Sequence, residues 1–396
     1  MSANSSERSL ANKAAIVGIG ATEFSKESGR SELQLAAECV IDALADAGID
    51  PAEVDGMCTF KSDNNPESEV HRVIGGKNLK FFSRIDYGGG AACAVVMQAA
   101  MAIAMGICEV AVVYRAFNER SQYRYGSGAS HKTAAHNYDG ATRAWGGVHG
   151  LVSPASNVAM SATRYMYEYG ATSEDFGRYC VLARKHAANN PKAWFYQKPI
   201  TLEDHQNSRW IVEPLRLLDC CQESDGGVAL VLTSPERAKT LKQTPALVRA
   251  ATQGSCDDQH TMTSYYRENI AHLPEMKLVA DQLWAMSGLK PGDMQYATIY
   301  DHFSPYVFQQ LEALGYCDLG QAKDFIREGH LELDGSLPTN THGGQLGEAY
   351  IHGVNGIAEA VRQIRGTSCN QVKQVEHAIV TAGTGVPTSG LILGQL

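Results

Sequence analysis

The sequence predicts an α/β protein made of one duplicated unit, with a large loop insertion in its first half. Three observations predict this. Short apolar runs alternate with helical periodicities from Ala14 to Leu393, the pattern of strand–helix–strand proteins. Both halves run through the same order of elements: strand, helix, strand, glycine-led helix, strand, strand. Their residues barely match, and an order repeated in this way signals internal duplication. Between Arg115 and Cys221 the order is interrupted by a section of roughly a hundred residues, rich in aromatic and polar side chains; insertions of that length tend to carry function.

Taken in chain order, the run from Ala14 to Gly20 reads as a buried strand. Ser31 caps a helix whose apolar residues Leu33, Ala36, Ala37, Val40, Ile41 and Leu44 follow helical spacing, and Gly48 and Pro51 end it. Met57 to Phe60 is a strand. Gly88-Gly89-Gly90 leads a helix that reaches about Met105 and is apolar nearly all round, hence buried. Glu109 to Tyr114 is the next strand. Helical pieces follow near 155–169 and 173–188, and Val228 to Thr233 returns as a strand. The second half repeats the order with a strand at Ala246 to Ala251 and a helix at Leu278 to Met286, stopped by Gly288 and Pro291. A strand at Tyr296 to Tyr300 follows, then Gly343-Gly344 ahead of a helix from about His352 to Ile364. Strands at His377 to Thr381 and Leu391 to Leu393 complete it. The expected organisation is a flexible tail over 1–13, a first unit over 14–114 plus 222–240, the insertion over 115–221, and a second unit over 241–396. The insertion is assigned to substrate binding and subunit contacts.

Composition excludes several classes. A chain of 396 residues, 44% hydrophobic, is long enough for a large core, and 19% charged residues with 38 glycines suit a tightly packed enzyme. A net charge of -9 without a basic stripe excludes nucleic acid as a partner; Arg184-Lys185-His186 reads as a solvated helix face. No run reaches the ~18 apolar residues of a membrane span, and Met1 to Lys13 lacks the apolar stretch of a secretory signal. Ten cysteines occur without CxxC spacing. Cys39, Cys93 and Cys108 read as buried thiols in a reducing cytoplasm, and neither zinc nor a structural disulfide, including one within Cys220-Cys221, is expected. His136, His149 and His186 fall in no metal motif. Gly18-Ile19-Gly20 lacks the third glycine of a dinucleotide fingerprint, since Phe24 and Ser25 follow.

The duplicated order and its glycine landmarks resemble the thiolase superfamily, whose fold is a duplicated αβαβα layering. Thiolases carry a nucleophilic cysteine at the start of the first buried helix, an Asn-Glu-Ala-Phe box, an Asn-x-Asn-Gly-Gly…Gly-His-Pro loop and a C-terminal Cys-x-Gly box. Aligning the helix Ala99-Ala100-Met101-Ala102-Ile103 puts Gly89 at the nucleophile's place, with Cys93 four residues later inside the helix. The other boxes read Tyr300-Asp301-His302-Phe303, Asn340-Thr341-His342-Gly343-Gly344-Gln345-Leu346-Gly347-Glu348-Ala349-Tyr350 and Thr381-Ala382-Gly383-Thr384-Gly385. Tyr300 thus replaces the asparagine, Tyr350 the histidine, and no cysteine stands at either catalytic position. Thiolysis needs one thiolate to carry the acyl group and a second thiol to move protons, so Claisen chemistry is not expected.

A narrower resemblance covers Ala14 to Gly394. Tyr114 to Ser121, His186 to Pro191, Glu213 to Cys221, Tyr300 to Pro305 and Thr339 to Gly353 look like the lipid-transfer-type steroid aldolases of this superfamily. The resemblance implies an aldol lyase that cleaves the C17–C20 bond of a 17-hydroxy steroid bearing a three-carbon CoA thioester. The products are a 17-ketosteroid and propionyl-CoA. It implies Tyr300 and Tyr350 as the catalytic pair, a DUF35-type OB-fold partner protein, a homodimer core widened to a heterotetramer, and no cofactor held by this chain.

The residues suit that chemistry. Retro-aldol cleavage needs a base for the tertiary hydroxyl, donors for the thioester enolate and an acid for the α-carbon, and no covalent intermediate. A tyrosine serves if neighbouring cations or donors lower its pKa from about 10. His302, His342 and His352 stand close in sequence for that task, and Asp301 either polarises a base or caps a turn. Tyr350 is taken as the base and Tyr300 as the acid or orienting partner, with the roles open to exchange. Gly343, Gly344 and Gly347, with Gly89 at the other helix start, permit close backbone approach and offer N–H groups to an oxyanion, or serve helix–sheet packing. Arg115 and Arg120 are candidates for CoA phosphates, a partner, or surface ion pairs. Tyr123, Tyr125 and Tyr138 are candidates for an apolar steroid pocket. The alternatives to a lyase are a non-catalytic steroid-CoA carrier or scaffold, and a thiolase working through another cysteine such as Cys93.

Overall fold

A computed structural model of the chain describes residues 9–61, 65–85, 88–124, 144, 146–260, 262, 264–383 and 388–396. Nine strands make one sheet: β1 (Ala15–Ala21), β2 (Gly56–Phe60), β3 (Phe81–Ile85), β4 (Val110–Asn118), β7 (Asp225–Thr233), β8 (Ala246–Gly254), β9 (Tyr296–Thr298), β10 (His377–Ala382) and β11 (Thr388–Gln395), while β5 (Trp210–Val212) and β6 (Leu215–Arg216) form a separate ribbon. The sheet order is β3-β2-β4-β7-β1-β8-β11-β10-β9.

The duplication is visible in the pairing. Outward from β1, the neighbours β7 and β4 are antiparallel and β2 and β3 parallel. Outward from β8, β11 and β10 are antiparallel, β9 is parallel, and Ala297 makes a parallel bridge to Thr339 where a fifth strand would lie. The two halves meet where β1 pairs with β8 through Ala15 and Ile16. The expected order of elements therefore holds in both halves.

Layering follows from which faces are apolar. The helix Glu32–Ala47 caps the outer face of the first half. Ser31 accepts the Gln34 N–H, and Gly48 closes the helix at φ 74°. Gly18 and Gly20 exist for this contact: a Cβ on either would stand 2.1–2.3 Å from backbone atoms of Cys39 and Ala43. The helix Pro274–Ser287 covers the outer face of the second half. Between the halves lie the inner helices Ala92–Ala104 and Val354–Arg365, and each contacts strands of both halves. Their core includes Val113, Leu230, Leu391, Val380 and Ile357, all fully buried. Burying such side chains contributes about 1.5–3 kcal/mol each, so this shared layer holds the two halves together.

The structure extends several sequence expectations. β4 runs to Asn118 rather than Tyr114, and β11 begins at Thr388 rather than Leu391. The strand β3 and the helix Ser304–Leu314 had no counterpart in the sequence reading. Within the insertion, the helices Pro154–Tyr169 and Ser173–Asn189 pack on the second half through Tyr165, Phe176 and Phe308. No helix of the described residues is long and apolar enough to cross a membrane.

Candidate active site

Two phenols meet where the inner helices begin. Tyr300 follows β9, and its backbone is clamped: its N–H donates to Thr381 Oγ1 at 2.9 Å, and Gln310 Nε2 donates to its carbonyl at 2.8 Å. Thr381 itself donates to Gln310 Oε1 at 2.7 Å. Tyr350 stands just ahead of the helix Val354–Arg365, its N–H donating to Ser224 Oγ at 3.2 Å. The Tyr300 hydroxyl donates to the Tyr350 oxygen at 3.1 Å, with the rings edge to face at 6.4 Å. Tyr300 is buried and Tyr350 partly exposed, so Tyr350 is the more accessible of the two.

Gly89 explains how the deeper phenol fits. A Cβ on Gly89 would lie 1.8 Å from the Tyr300 hydroxyl oxygen. The Tyr300 hydroxyl therefore fills the space into which a nucleophile on residue 89 would project. Gly353, at φ 89°, also leaves room for this ring, which a Cβ would close to 2.9 Å from Cε2. The loss of the cysteine and the gain of the tyrosine are one steric exchange. Cys93 does not compensate: it is fully buried, its Sγ donates to the Val380 carbonyl at 3.7 Å, and burial pushes its thiol well above the usual range.

The surroundings are dry. Burial pushes both phenols well above the ordinary tyrosine range, and Cys221 and Glu119 add to the effect on each. This corrects the expectation that neighbouring cations would lower the pKa of a phenol. His302, its ring tilted against that of Tyr300 at 4.9 Å, is held down to about 3 by burial, and His352, at 4.5 Å from the Tyr350 ring, is held well below its usual value by burial and by Arg115. Both imidazoles are neutral, so they act as dipoles rather than cations.

The remaining candidates divide. Asp301 does not touch either phenol. It takes the Gln345 N–H at 2.6 Å and the Tyr179 hydroxyl at 2.9 Å, so it is the foot on which the glycine loop stands; burial raises it to about 6. Gly344 at φ 65° sits over it, and a Cβ there would come within 2.0 Å of the carboxylate. Gly343 and Gly347 lie against Ala187 of the insertion, where added Cβ atoms would stand 2.5–2.6 Å from its methyl. The Gly343 N–H is bonded to the Asn340 carbonyl. In the structure, then, Gly343, Gly344 and Gly347 allow the loop to pack closely against Ala187 and Asp301. His342 lies behind the loop, 4.0 Å from Glu348, rather than at the phenols.

Of the residues around the phenols, Arg115 takes a place the sequence did not suggest and Glu119 was not singled out. Arg115 is fully buried, its guanidinium lying between the rings of Phe60 and Phe117, which excludes both a surface ion pair and a solvent-facing phosphate contact. Glu119, at the end of β4, is buried with one carboxylate oxygen lacking a hydrogen bond. The signal was strand alternation: Val113, Arg115 and Phe117 share the inward face of β4, legible only if the strand is carried past Tyr114. Tyr125, Tyr138 and His136 lie outside the described residues, as does the Tyr123 side chain.

Among the described residues, one group of His, Cys and acidic atoms is close enough to share an ion: Cys180, His205 and Asp219. Its bonds are already made. Asp219 accepts from Ser304 Oγ at 2.5 Å and from the Arg216 N–H at 2.8 Å, and it pairs with His205 Nε2 at 2.9 Å. The cluster ties the insertion to the helix Ser304–Leu314.

Comparison with known proteins agrees with this geometry. The thiolase N-terminal domain matches residues 14–236, and the thiolase C-terminal domain-like family matches residues 257–394. A steroid side-chain-cleaving aldolase of Thermomonospora curvata is 66% identical over 385 residues, covering 97% of this chain and 98% of that one. The 17-hydroxy-3-oxo-4-pregnene-20-carboxyl-CoA lyase of Mycobacterium tuberculosis is 63% identical over 385 residues, covering 97% and 100%. The solved Ltp2-ChsH2(DUF35) aldolase superposes with a TM-score of 0.93 at 64% identity, covering 98% of both chains. Human mitochondrial 3-ketoacyl-CoA thiolase with CoA, at 14% identity and a TM-score of 0.69, shares the fold alone. The chain therefore belongs to the thiolase superfamily, on the branch of the steroid side-chain-cleaving aldolases.

Proposed function

We propose that this chain is the catalytic subunit of a steroid acyl-CoA retro-aldolase. It cleaves the C17–C20 bond of a 17-hydroxy steroid three-carbon CoA thioester to a 17-ketosteroid and propionyl-CoA. The observation that carries this reading is the phenol pair, 3.1 Å apart, set into the space of a missing nucleophile. Identities of 63–66% over nearly the full length to the two lyases support the substrate class.

The raised phenols fit a relay between neutral hydroxyls. Tyr350, the more accessible, takes the proton of the C17 hydroxyl and passes its own to Tyr300. As the C17–C20 bond breaks, its electrons enter the thioester as an enolate, and Tyr300 gives its proton to C20. One proton leaves oxygen and one reaches carbon, so neither tyrosine ends the cycle charged. Hydroxyl hydrogens rotate, so the pair can also run in the opposite order. No oxidant or acyl-enzyme enters the balance, and the chain needs no cofactor of its own. His302 and His352 shape the dipoles around the pair, and Asp301 holds the loop that carries Tyr350.

We further propose a DUF35-type partner protein, which the 64% identical solved Ltp2-ChsH2(DUF35) aldolase supports, with an OB-fold and set on a homodimer core, a heterotetramer in all. We place the assembly in the cytoplasm, since its ten cysteines are all free, as in a reducing compartment. The test is co-expression with that partner and assay of the 17-hydroxy steroid thioester. Equal release of propionyl-CoA and 17-ketosteroid, with the protein's mass unchanged, is expected. Tight binding without turnover would make the chain a carrier, and an acyl adduct on Cys93 would make it a thiolase.

A further inference from the structure

Arg115 is an unusual buried cation. It is fully buried, and one of its nitrogens, Nη1, has no hydrogen-bond partner. No ion pair joins it to a carboxylate among the described residues. Taking a guanidinium out of water without a counter-charge is costly, so such a group is expected where its field or its donors are used. Its remaining contacts point one way. Nε and Nη2 lie 3.4 and 3.3 Å from His352 Nδ1, and the His352 ring lies 4.5 Å from the ring of Tyr350.

This contact decides the tautomer of His352. A guanidinium carries donors only, so His352 Nδ1 must present its lone pair, and the imidazole proton sits on Nε2. The ring's placement is also enforced by its backbone. His352 has φ 51°, a left-handed conformation that a side chain adopts only when its surroundings hold it there. Phe60 and Phe117, which flank the guanidinium, also contact the His352 ring, at 6.2 and 6.4 Å.

We propose that Arg115 and His352 are positioning residues for the lyase reaction. In this proposal Arg115 locks His352 as a neutral imidazole with its proton on Nε2, and the pair polarises the Tyr350 end of the phenol relay. The proposal rests on the retro-aldolase reading for its kinetic consequence but not for the tautomer. The titratable and charged groups that act on the pair are Arg115 from β4 and His302 after β9, which bear on His352, together with Tyr300, Cys221 and Glu119, which bear on Tyr350. Arg115 opposes protonation of His352, as does burial. Burial, the larger cause, stays in place, so removing the cation moves the imidazole up only in part and protonation sets in at higher pH than in the wild type.

Two measurements on the partner-bound protein test this. The first is nitrogen NMR on protein labelled in its histidine rings, with the His352 signal identified by its loss in His352→Gln. It needs no turnover. One neutral tautomer protonated at Nε2, unchanged from about pH 5.5 to 8.5, is expected, whereas Arg115→Met should make the signal titrate. A wild-type His352 that titrates in this range, or carries its proton on Nδ1, overturns the proposal.

The second is the pH profile of turnover. Wild type should be level across this range. Arg115→Met, which keeps the volume without the charge, should lose about a hundredfold in kcat, change KM by less than about threefold, and gain an acid limb that the wild type lacks. Arg115→Lys should recover about tenfold of that loss. An Arg115→Met profile parallel to wild type overturns the proposal, as does a loss expressed in KM alone. Absence of wild-type turnover contradicts the retro-aldolase reading instead, and the NMR result still decides the tautomer.

Discussion

The two glycine-led turns that open the inner helices hold matched places in the two halves and have opposite contents. The first, Gly88–Gly90, presents no side chain. The second, from Gly343 to Gly353, carries Tyr350 and His352 and stands on Asp301. The first is empty because the second half uses its space: Tyr300 reaches across from β9 and puts its hydroxyl over Gly89. A duplicated scaffold supplies two equivalent backbone positions, and the chemistry depends on which of them is loaded. In the proposed reaction the first turn is clear of sulfur and the phenol of the second does the work.

Refilling the first turn breaks the comparison most severely. Gly89→Cys places a side chain 1.8 Å from the Tyr300 oxygen, on a ring already packed against Gly353. The phenol must move, so propionyl-CoA release should fall by about 10⁴-fold, at the upper end of what loss of a catalytic proton donor costs. Thiolysis should not appear, because Thr381 stands where the second thiol would be needed. Thiolase activity in this variant would show that the fold alone sets the reaction.

Disturbing the foot of the second turn comes next. Gly344→Ala combines φ 65° with a Cβ 2.0 Å from the Asp301 carboxylate. It should cost about 3 kcal/mol in chemical denaturation, with the lost activity following the lost fold. A neutral outcome would mean that the loop does not rest on Asp301.

A smaller effect separates the charge of Asp301 from its shape. Burial raises its folded pKa to about 6, above the value of 3.8 for an exposed Asp. Its contribution is therefore fully present below pH 3.8 and is lost as pH rises to about 6. The stability of wild type relative to Asp301→Asn should fall by about 2–3 kcal/mol across that window and level off above it. Thermal unfolding of both proteins at several pH values reads this difference, and a flat difference would place Asp301 in a wetter setting.

Much of this was legible in the sequence. Periodicity and glycine punctuation located most strands and both inner helices, and the repeated order exposed the duplication. The replacements at Gly89, Tyr300 and Tyr350 were visible as changes of residue type at landmark positions. What the sequence could not show was contact across the two halves. Arg115 reads as a surface cation when β4 is ended at Tyr114, and only the longer strand turns it inward beside His352. The glycines looked like oxyanion donors because a glycine loop before a helix has that geometry, whereas Ala187 and Asp301, distant in sequence, give them packing duties. The phenols looked ready for a lowered pKa because histidines lie nearby in sequence. Burial makes those histidines neutral, and for that reason the proposed chemistry is a relay instead.

The most direct test of the account is Tyr350→Phe, which removes one hydroxyl from the second turn and leaves the ring. In the assembled complex, single-turnover release of the 17-ketosteroid should slow by about 10³-fold while thioester binding stays within about threefold. Release at the wild-type rate would contradict the claim that the reaction runs through the phenol pair.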